Sequence, residues 1–408
     1  MGKNFYYLWT SQILSQVTVN MMNFLLLSRL FNTTGSTIAT SLLWVSYALP
    51  TIFFGPIGAG VADFISRRKT LLITNLLQSL VIFLYIFSYD YSIFLLFSVV
   101  IIYSLLNQFY VPAESASLPS VTTKDKLPKA NSLFFLTQQI ALIVGFGFAG
   151  IIEKFLGFEG TLIICAVNLF IAFICVSFLP NFAPRKKVPE NWEDIMKVFF
   201  GHIIEGYKFI KNRKTVLYPL GLLFSIQVGL AIVFANLPII AVEILKVSTT
   251  YVGILVVAPA GIGATLGSIY INKLIKRGWR KKKIINTGLA AIGMGVLMLA
   301  WAIPFIPATL RFISGPILIT IIGFGFIAVN IPTLTFLQEV VPNWLRGRVF
   351  GNLYFLITLT TILPIIFSGI VSEFFGVKTL LTILSFGVIL ILSYSIRSGQ
   401  RLIEENFN

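Results

Sequence analysis

Long apolar runs separated by short polar segments make up nearly the whole chain. A run of about 20 apolar residues is long enough to cross a bilayer as a helix. The pattern predicts twelve such helices, so both chain ends are expected on the same side of the membrane. The predicted spans lie near residues 7–31, 38–62, 70–88, 92–112, 130–152, 158–179, 216–243, 249–273, 284–303, 308–337, 347–371 and 376–396.

The positive charges fall mainly on one side of this topology. Of the 31 Lys and Arg residues, 26 lie in the N-terminus, the even-numbered loops and the C-terminus. Cytoplasmic loops carry this excess, so we expect a multi-pass protein of the cell (inner) membrane with both termini in the cytoplasm. A net charge of +16 would also suit nucleic-acid binding, but these cations do not share one folded surface. We therefore expect no nucleic-acid partner.

The composition also indicates a membrane protein, because 57% of the residues are hydrophobic and only 11% are charged. Soluble domains carry about 25% charged residues. The sequence has no GxxxxGKS or GxxxxGKT loop for nucleotide phosphates and no Cys/His spacing typical of a metal site. We expect no cofactor, no metal and no enzymatic activity.

Three pairs of segments recur in the same order in the two halves of the chain. Their offset is about 210 to 220 residues, which indicates an internal duplication. Parallel repeats of this kind predict two pseudo-symmetric six-helix bundles with a substrate site between them. The pairs are GAGVADFISRRK (58–69) with GSIYINKLIKRGWRKKK (267–283), the segments 111–136 with 331–356, and GIIEKFLG (150–157) with GIVSEFFG (369–376).

The repeats and the one long polar stretch divide the chain into parts. We predict an N-terminal bundle over 1–180, a cytoplasmic linker over 181–215, a C-terminal bundle over 216–398 and a cytoplasmic tail over 399–408. Apolar residues between Ile195 and Ile210 recur at helical spacing, which predicts an amphipathic linker helix on the inner leaflet. His202, the only histidine, is expected there as a surface residue.

The motifs resemble those of a known family. The 58–69 segment resembles the loop between helices two and three of the major facilitator superfamily, and the resemblance covers essentially the whole chain. ANSLFFL (130–136) and VPNWLRGRVFGNLYFL (341–356) resemble the branch that holds macrolide-type efflux proteins and the enterobactin exporter. The resemblance implies the major facilitator fold and an alternating-access antiporter, active as a monomer among membrane lipids.

The resemblance also implies a function. A transporter of this branch is expected to export a bulky amphipathic or lipophilic small molecule, of the macrolide or multidrug type, in exchange for protons. Such export is associated with antibiotic resistance. Two other readings stay open: export of a siderophore, lipid or other natural product, and a non-transporting membrane protein on a degenerate carrier fold.

A cytoplasmic latch between the bundles is the first site that the resemblance implies. Glycine allows close helix approach, and a carboxylate can pair with an arginine one turn away or face a helix N-terminus. A plain basic anchor at the anionic leaflet would explain the cations but not the acid. Asn272 replaces the acid in the second repeat, so we expect only the first copy to be an electrostatic latch. The latch residues are Gly58, Asp63, Arg67, Arg68, Lys69, Arg346 and Arg348.

Proton coupling is expected to depend on acids inside the membrane, where ionisable groups are rare and functional by default. Glu114 and Glu339 lie toward the cytoplasmic ends of helices four and ten and are the candidate proton carriers. As an alternative, each is an interfacial charge. The chain departs from the family pattern at Tyr103 and Phe146 and has no acid in helix one, so coupling through the usual residues is weakened.

Uncharged polar residues in the predicted helices are the candidates for lining a substrate cavity. Amides among aromatic residues suit a bulky amphipathic solute better than an anion. The alternative is that these amides hold helices together by interhelical hydrogen bonds. The candidates are Gln16, Asn20, Asn23, Asn107, Gln108, Gln138, Gln227, Asn236 and Asn330.

Overall fold

The structure is a computed structural model that describes residues 1–181, 214–341 and 346–404. The predicted amphipathic linker helix and His202 lie outside the described residues. The long helices are α1 (Lys3–Thr34), α2 (Thr37–Phe64), α3 (Arg67–Ile86), α4 (Ile93–Val121), α5 (Leu127–Ser177), α6 (Lys214–Ala235), α7 (Ala258–Lys276), α8 (Lys281–Trp301), α9 (Ala308–Val340), α10 (Arg346–Phe375) and α11 (Val377–Glu404). Short helical turns lie at Lys124–Lys126, Leu237–Ile239, Ile240–Leu245, Thr249–Tyr251, Gly253–Val257 and Ile303–Phe305.

Ten segments of the described chain are long and apolar enough to cross a membrane. One of them covers both arms of α5, which bends at Gly157. A further helix, α1, is not among the ten because its amides lower its hydropathy, yet its 32 residues span about 48 Å. The prediction of an all-α membrane protein with twelve helices is therefore confirmed.

The bend in α5 explains one pair of repeated motifs. Gly157 has φ +72°, and Gly376 between α10 and α11 has φ +81°. Glycine adopts this left-handed region without the steric penalty of a Cβ atom. No atom outside the local backbone lies within 4 Å of a Cβ built at either position. The repeated glycine therefore reverses the chain after the fifth helix of each half.

The chain divides into two compact units. In described residues, the first unit comprises 1–34 and 42–181, and the second comprises 35–41, 214–341 and 346–404. The first turn of α2 is therefore grouped with the second unit, whereas the remainder of α2 belongs to the first. Within residues 35–41, the Ile38 amide and the Ser36 hydroxyl donate to the carboxylate of Glu373 on α10.

Close contact between α1 and α5 organises the first unit. A Cβ atom on Gly145 would lie 2.5 Å from the Asn20 Cβ and 2.9 Å from the Val17 carbonyl oxygen, so only glycine fits. The neighbouring Phe146 is fully buried and packs edge-on against Phe24, with ring centroids 5.9 Å apart. The Gly-Phe pair is thus explained by helix packing.

Glycine contacts organise the second unit even more tightly. A Cβ atom on Gly263 of α7 would lie 2.0 Å from the Thr320 carbonyl oxygen of α9, and one on Gly323 would lie 2.2 Å from the Ala260 carbonyl oxygen. On another side of α9, a Cβ on Gly288 of α8 would lie 2.8 Å from the Gly325 carbonyl oxygen. Small residues permit this backbone approach, which is a common way for helices to associate in a membrane.

Candidate functional site

A chain of polar side chains lies inside the first unit, where α1, α3 and α4 pack together. The Tyr110 hydroxyl donates to Glu114 Oε1 at 2.8 Å, and the hydroxyls of Ser11 and Ser15 lie within hydrogen-bonding range of the Tyr110 hydroxyl. Asn75 Nδ2 of α3 donates to Ser11 Oγ at 3.2 Å. We call Ser11, Ser15, Asn75, Tyr110 and Glu114 the inner polar cluster.

Glu114 is the acid of this cluster, and only 2% of it is exposed. It lies four residues after Tyr110, so the two side chains share a face of α4. Among the described side chains, no cation forms an ion pair with Glu114. An unpaired carboxylate charge in an apolar interior is strongly unfavourable. The position therefore suits a group that takes up and releases a proton.

Several buried oxygen atoms near the inner polar cluster have no hydrogen-bond partner. They include Asn75 Oδ1 of the cluster itself, Gln12 Oε1 beside Ser11, and Gln78 Oε1 one turn from Asn75. Gln12 Nε2 donates to the Phe134 carbonyl oxygen, and Gln78 Nε2 to the Tyr103 carbonyl oxygen. Because a carbonyl only accepts, these contacts fix the amide orientation and leave the oxygens free for a donor.

Sequence reasoning did not select the residues around Glu114. A usable signal was present, because Ser11, Ser15 and Thr18 recur on one face of α1, and Asn75 and Gln78 do so on α3. These residue types are common in membrane helices as interhelical contacts. Their burial against an acid is a property of the tertiary structure.

Half-buried polar side chains on α1, α2 and α4 form a second group in the same unit. Asn107 Nδ2 donates to the Tyr47 hydroxyl at 3.4 Å, and Asn23 also hydrogen-bonds Tyr47. Gln108 Nε2 donates to Thr51 Oγ1 at 3.0 Å. We call Asn23, Tyr47, Thr51, Asn107 and Gln108 the amide patch. Three of these five, Asn23, Asn107 and Gln108, are among the predicted cavity residues.

The other predicted cavity residues of the first unit lie close by or on the outside. Gln16 and Asn20 are half-buried on α1, and Asn20 Nδ2 donates to the Gln16 carbonyl oxygen at 2.7 Å. Gln138 is exposed on α5. Gln16 and Asn20 therefore extend the polar face that carries Asn23, whereas Gln138 is separate from it.

The predicted cavity residues of the second unit do not form a comparable group. Asn236 is fully buried and donates to Ser368 Oγ of α10 at 3.0 Å and to the Ile232 carbonyl oxygen at 2.9 Å. These contacts fit the alternative in which an amide joins helices. Gln227 and Asn330 are half-buried.

Glu339, the second candidate proton carrier, has a different environment from Glu114. Its side chain is 52% exposed, and its carboxylate pairs with Lys281 of α8. Of the two candidate acids, the structure therefore buries Glu114 and leaves Glu339 exposed.

Two of the predicted latch residues make contacts inside the first unit. Arg67 is buried, and its Nη1 donates to the Ala116 carbonyl oxygen at 2.8 Å and to Ser120 Oγ at 3.1 Å near the end of α4. Arg68 donates to the Ser177 carbonyl oxygen at the end of α5. Basic side chains stabilise helix C-termini in this way. Lys69 is exposed, and the side chains of Asp63, Arg346 and Arg348 and the surroundings of Gly58 lie outside the described part.

An open groove of about 560 Å³ lies on the surface of the second unit, between α8 and α11. Exposed apolar residues, including Trp301, Phe386 and Leu390, line it. Such a lining suits a lipid acyl chain rather than polar chemistry. Within the described residues, no group of three or more His, Cys, Asp or Glu side chains is placed to hold a metal ion.

Comparisons with known proteins agree with this architecture. Residues 8–364 match the family model of the Major Facilitator Superfamily. The chain is 25% identical to the uncharacterized MFS-type transporter YfmI of Bacillus subtilis, over 96% of this chain and 95% of YfmI. It is 21% identical to macrolide efflux protein A of Streptococcus pyogenes, over 92% and 90% of the two chains. It is 23% identical to the multidrug efflux pump Tap of Mycolicibacterium fortuitum, over 88% and 86%.

Solved structures give the same fold. Two crystal structures of the nucleoside transporter NupG, one of them a variant, superpose with TM-scores of 0.73 and 0.76 at 18% and 16% identity. The coverage is 99% of this chain and 100% of NupG in the first case, and 96% and 99% in the second. This likeness confirms the predicted major facilitator fold.

Proposed function

The chain belongs to the Major Facilitator Superfamily, and from this premise we propose that it exports a bulky amphipathic or lipophilic molecule in exchange for protons. The family consists of transporters, so transport itself needs no further assumption. Export is supported by the likeness to a macrolide efflux protein and a multidrug efflux pump. In this proposal the protein lies in the cell membrane as a monomer, with both termini in the cytoplasm.

The amide patch supports the proposed substrate class. Its amides and hydroxyls offer neutral hydrogen-bonding groups, and Trp44 packs edge-on against Tyr47 with ring centroids 6.3 Å apart. The five residues of the patch carry no charge. A surface of this kind suits a large molecule with aromatic or macrocyclic apolar parts and scattered hydroxyl groups.

The single observation that carries proton coupling is the burial of Glu114 in the inner polar cluster. An export cycle driven by protons needs a group that is protonated in one state and ionised in another. One charge that crosses a potential of 100 mV supplies about 2.3 kcal/mol. Glu114 is the proposed carrier, and Glu339 is left as an interfacial charge paired with Lys281.

The latch belongs to the same proposal. Arg67 and Arg68 hold α3 against the ends of α4 and α5, so they keep the segment after Asp63 in a fixed position. In the proposal, the Asp63 carboxylate forms the electrostatic part of the latch, and Arg346 and Arg348 on α10 are its counterparts. Asn272, which stands at the corresponding place in the second repeat, is exposed.

The test is transport by the purified full-length protein in lipid vesicles. Erythromycin, a macrolide, is the probe, and an acidic vesicle interior supplies the driving gradient. We expect erythromycin uptake that stops when an ionophore removes the gradient. Uridine serves as the control substrate, because the structural neighbour NupG is a nucleoside transporter. Erythromycin uptake that continues unchanged without the pH gradient would contradict proton exchange. Gradient-driven uptake of uridine but not of erythromycin would contradict the proposed substrate class.

A further inference from the structure

We propose that the inner polar cluster is a proton switch in which Tyr110 is a positioning residue that couples the protonation of Glu114 to α1. The inference deepens the proposed function, because it rests on proton coupling through Glu114. It adds a route by which protonation of Glu114 affects the residues of the amide patch, which are proposed to face the substrate.

The switch follows from the number of hydrogen atoms in the cluster. A tyrosine hydroxyl donates one hydrogen bond and accepts up to two. When Glu114 is ionised, it can only accept, so the Tyr110 hydroxyl must donate to it, as the 2.8 Å contact shows. The hydroxyls of Ser11 and Ser15 are then the donors to Tyr110.

Protonation of Glu114 reverses the direction of these hydrogen bonds. A protonated Glu114 carries an O–H group that donates to the Tyr110 oxygen, and the Tyr110 hydrogen turns toward Ser11 or Ser15 on α1. The carboxyl O–H bond forms as a hydronium ion gives up its proton and becomes water, and deprotonation returns that proton to water. The donors and acceptors between α1 and α4 therefore exchange roles each time Glu114 gains or loses a proton.

The unpartnered oxygens beside the cluster supply the place for that water. Asn75 Oδ1 is fully buried without a partner, and its own Nδ2 donates to Ser11 Oγ. Gln12 Oε1 and Gln78 Oε1 are buried without partners as well. A buried polar atom left without a hydrogen bond costs about 1–3 kcal/mol, and buried water typically satisfies two to four such groups. In the proposal, water bound at Asn75 completes the switch.

These two helices, together with α2, carry the amide patch. Asn107 precedes Tyr110 by three residues on α4, which is about 4.5 Å along the helix axis. Asn23 and Ser15 lie two turns apart on α1. A change in the hydrogen bonds between α1 and α4 therefore acts on two of the three helices that present the patch.

Among the described residues, the buried cation on α3 is Arg67, whose guanidinium donates to Ala116 and Ser120, which follow Glu114 on α4. The polar groups that meet the Tyr110 hydroxyl from α1 are the hydroxyls of Ser11 and Ser15. The residues of α1 and α5 that share the core cluster with Tyr110, such as Leu8 and Phe134, are apolar. Titration of the cluster is therefore expected to report Glu114, with Tyr110 as its hydrogen-bond partner.

The first test observes the carboxyl group directly, without any transported substrate. Infrared difference spectra of the full-length protein in lipid vesicles are recorded as the pH is changed. The Glu114→Gln variant identifies the carboxylic C=O band of Glu114 by its loss. We expect Tyr110→Phe to raise the frequency of that band, because it removes a hydrogen bond. Tyr103→Phe, a change at another buried tyrosine of α4, is expected to leave the band in place.

The second test separates coupling from folding. We expect Tyr110→Phe and Ser11→Ala to lower gradient-driven erythromycin uptake at least about fivefold, while erythromycin exchange at equal pH stays within about twofold. Tyr103→Phe is expected to change neither rate. The proposed switch would be overturned if these variants lost gradient-driven uptake and equal-pH exchange to the same extent. It would also be overturned if Tyr110→Phe left the frequency of the Glu114 C=O band unchanged. Uptake driven by a sodium gradient and insensitive to pH would also overturn it. If the wild-type protein moves no erythromycin, the proposed function fails, while the infrared result still decides the switch.

Discussion

The interiors of the two units are built on different chemistry. In the first, hydroxyls, amides and one acid are buried between α1, α3 and α4, and both charged residues buried among the described side chains, Arg67 and Glu114, belong to it. In the second, the described buried polar groups are hydroxyls and Asn236, and glycines bring α7, α8 and α9 into backbone contact. The two units therefore differ in how their helices are held together.

The difference indicates that the two units have different roles. Backbone contact through glycine leaves no room for adjustment, because packed interiors are nearly incompressible. Hydrogen bonds between hydroxyls and a carboxyl group can change direction without a change in packing. We infer that the second unit is the stiffer body and that the first unit contains the part that responds to protons. Five changes test this comparison.

The largest effect, on stability, is expected from adding a side chain at the glycine contact of the second unit. In Gly323→Ala, the new Cβ would lie 2.2 Å from the Ala260 carbonyl oxygen, so α7 and α9 must separate. We expect a loss of about 3 kcal/mol in stability, measured as thermal unfolding in detergent. Gly229→Ala on α6 is the matched control, since its Cβ meets nothing within 4 Å. A control as destabilised as Gly323→Ala would refute the packing argument.

The next largest effect concerns the two acids. Glu114→Gln removes the only acid of the inner polar cluster, and we expect it to lower gradient-driven erythromycin uptake at least about tenfold, or about 1.4 kcal/mol. Glu339→Gln breaks an exposed ion pair with Lys281, and we expect a change below about twofold. Vesicle uptake assays compare the variants directly. A larger loss in Glu339→Gln would reverse the assignment of the proton carrier.

A moderate effect on transport is expected from substitutions in the similar segments 58–69 and 267–283. Asp63→Asn removes the acid of the proposed latch, and we expect several-fold slower transport with normal amounts of protein in the membrane. Asn272→Ala changes an exposed residue at the corresponding place and should leave transport close to wild type. Uptake rates normalised to protein content provide the measurement. Equal effects of the two substitutions would remove the proposed asymmetry between the repeats.

A smaller effect is expected where charged and aromatic groups join the ends of helices in the first unit. Arg29 pairs with Asp90 at 2.6 Å and lies 4.3 Å from the ring centroids of Tyr89 and Phe158. We expect Arg29→Ala to lower the free energy of unfolding by about 0.8 kcal/mol. Lys378→Ala in the second unit, where Lys378 lies 5.6 Å from one ring, should cost about 0.5 kcal/mol. The ranking fails if the lysine variant is the less stable one.

The smallest expected effect is a change in the pKa of Tyr89. The Tyr89 hydroxyl donates to Glu159 Oε1 at 2.7 Å, and this hydrogen bond raises the pKa of Tyr89 to about 12. Its stabilising effect is therefore present below the unfolded-state pKa of about 10 and is lost as the pH rises toward about 12. In Glu159→Gln, the pKa of Tyr89 should fall toward about 10. Ultraviolet absorbance of the phenolate, with Tyr89→Phe as the reference, measures it, and an unchanged titration would contradict the assignment.

The sequence predicted those features that depend on local composition. Apolar runs of membrane length predicted all twelve spans, including the one in α1, whose amides lower its mean hydropathy. Gly157 and Gly376 were visible as a repeated motif, although their positive φ angles became apparent only in the structure. Glu114 stood out because an acid is rare in such a run.

The tertiary structure alone decided which polar residues act together. In the sequence, Glu114 and Glu339 are equivalent acids near the ends of two apolar segments, yet one is buried against Tyr110 and the other is exposed beside Lys281. Ser11 and Asn75 lie 64 residues apart and meet only because α1 and α3 both pack against α4 and α5. Hydropathy and spacing are properties of single segments. The hydrogen bonds of a buried group depend on which segments become neighbours, and that is fixed only when the bundle is packed.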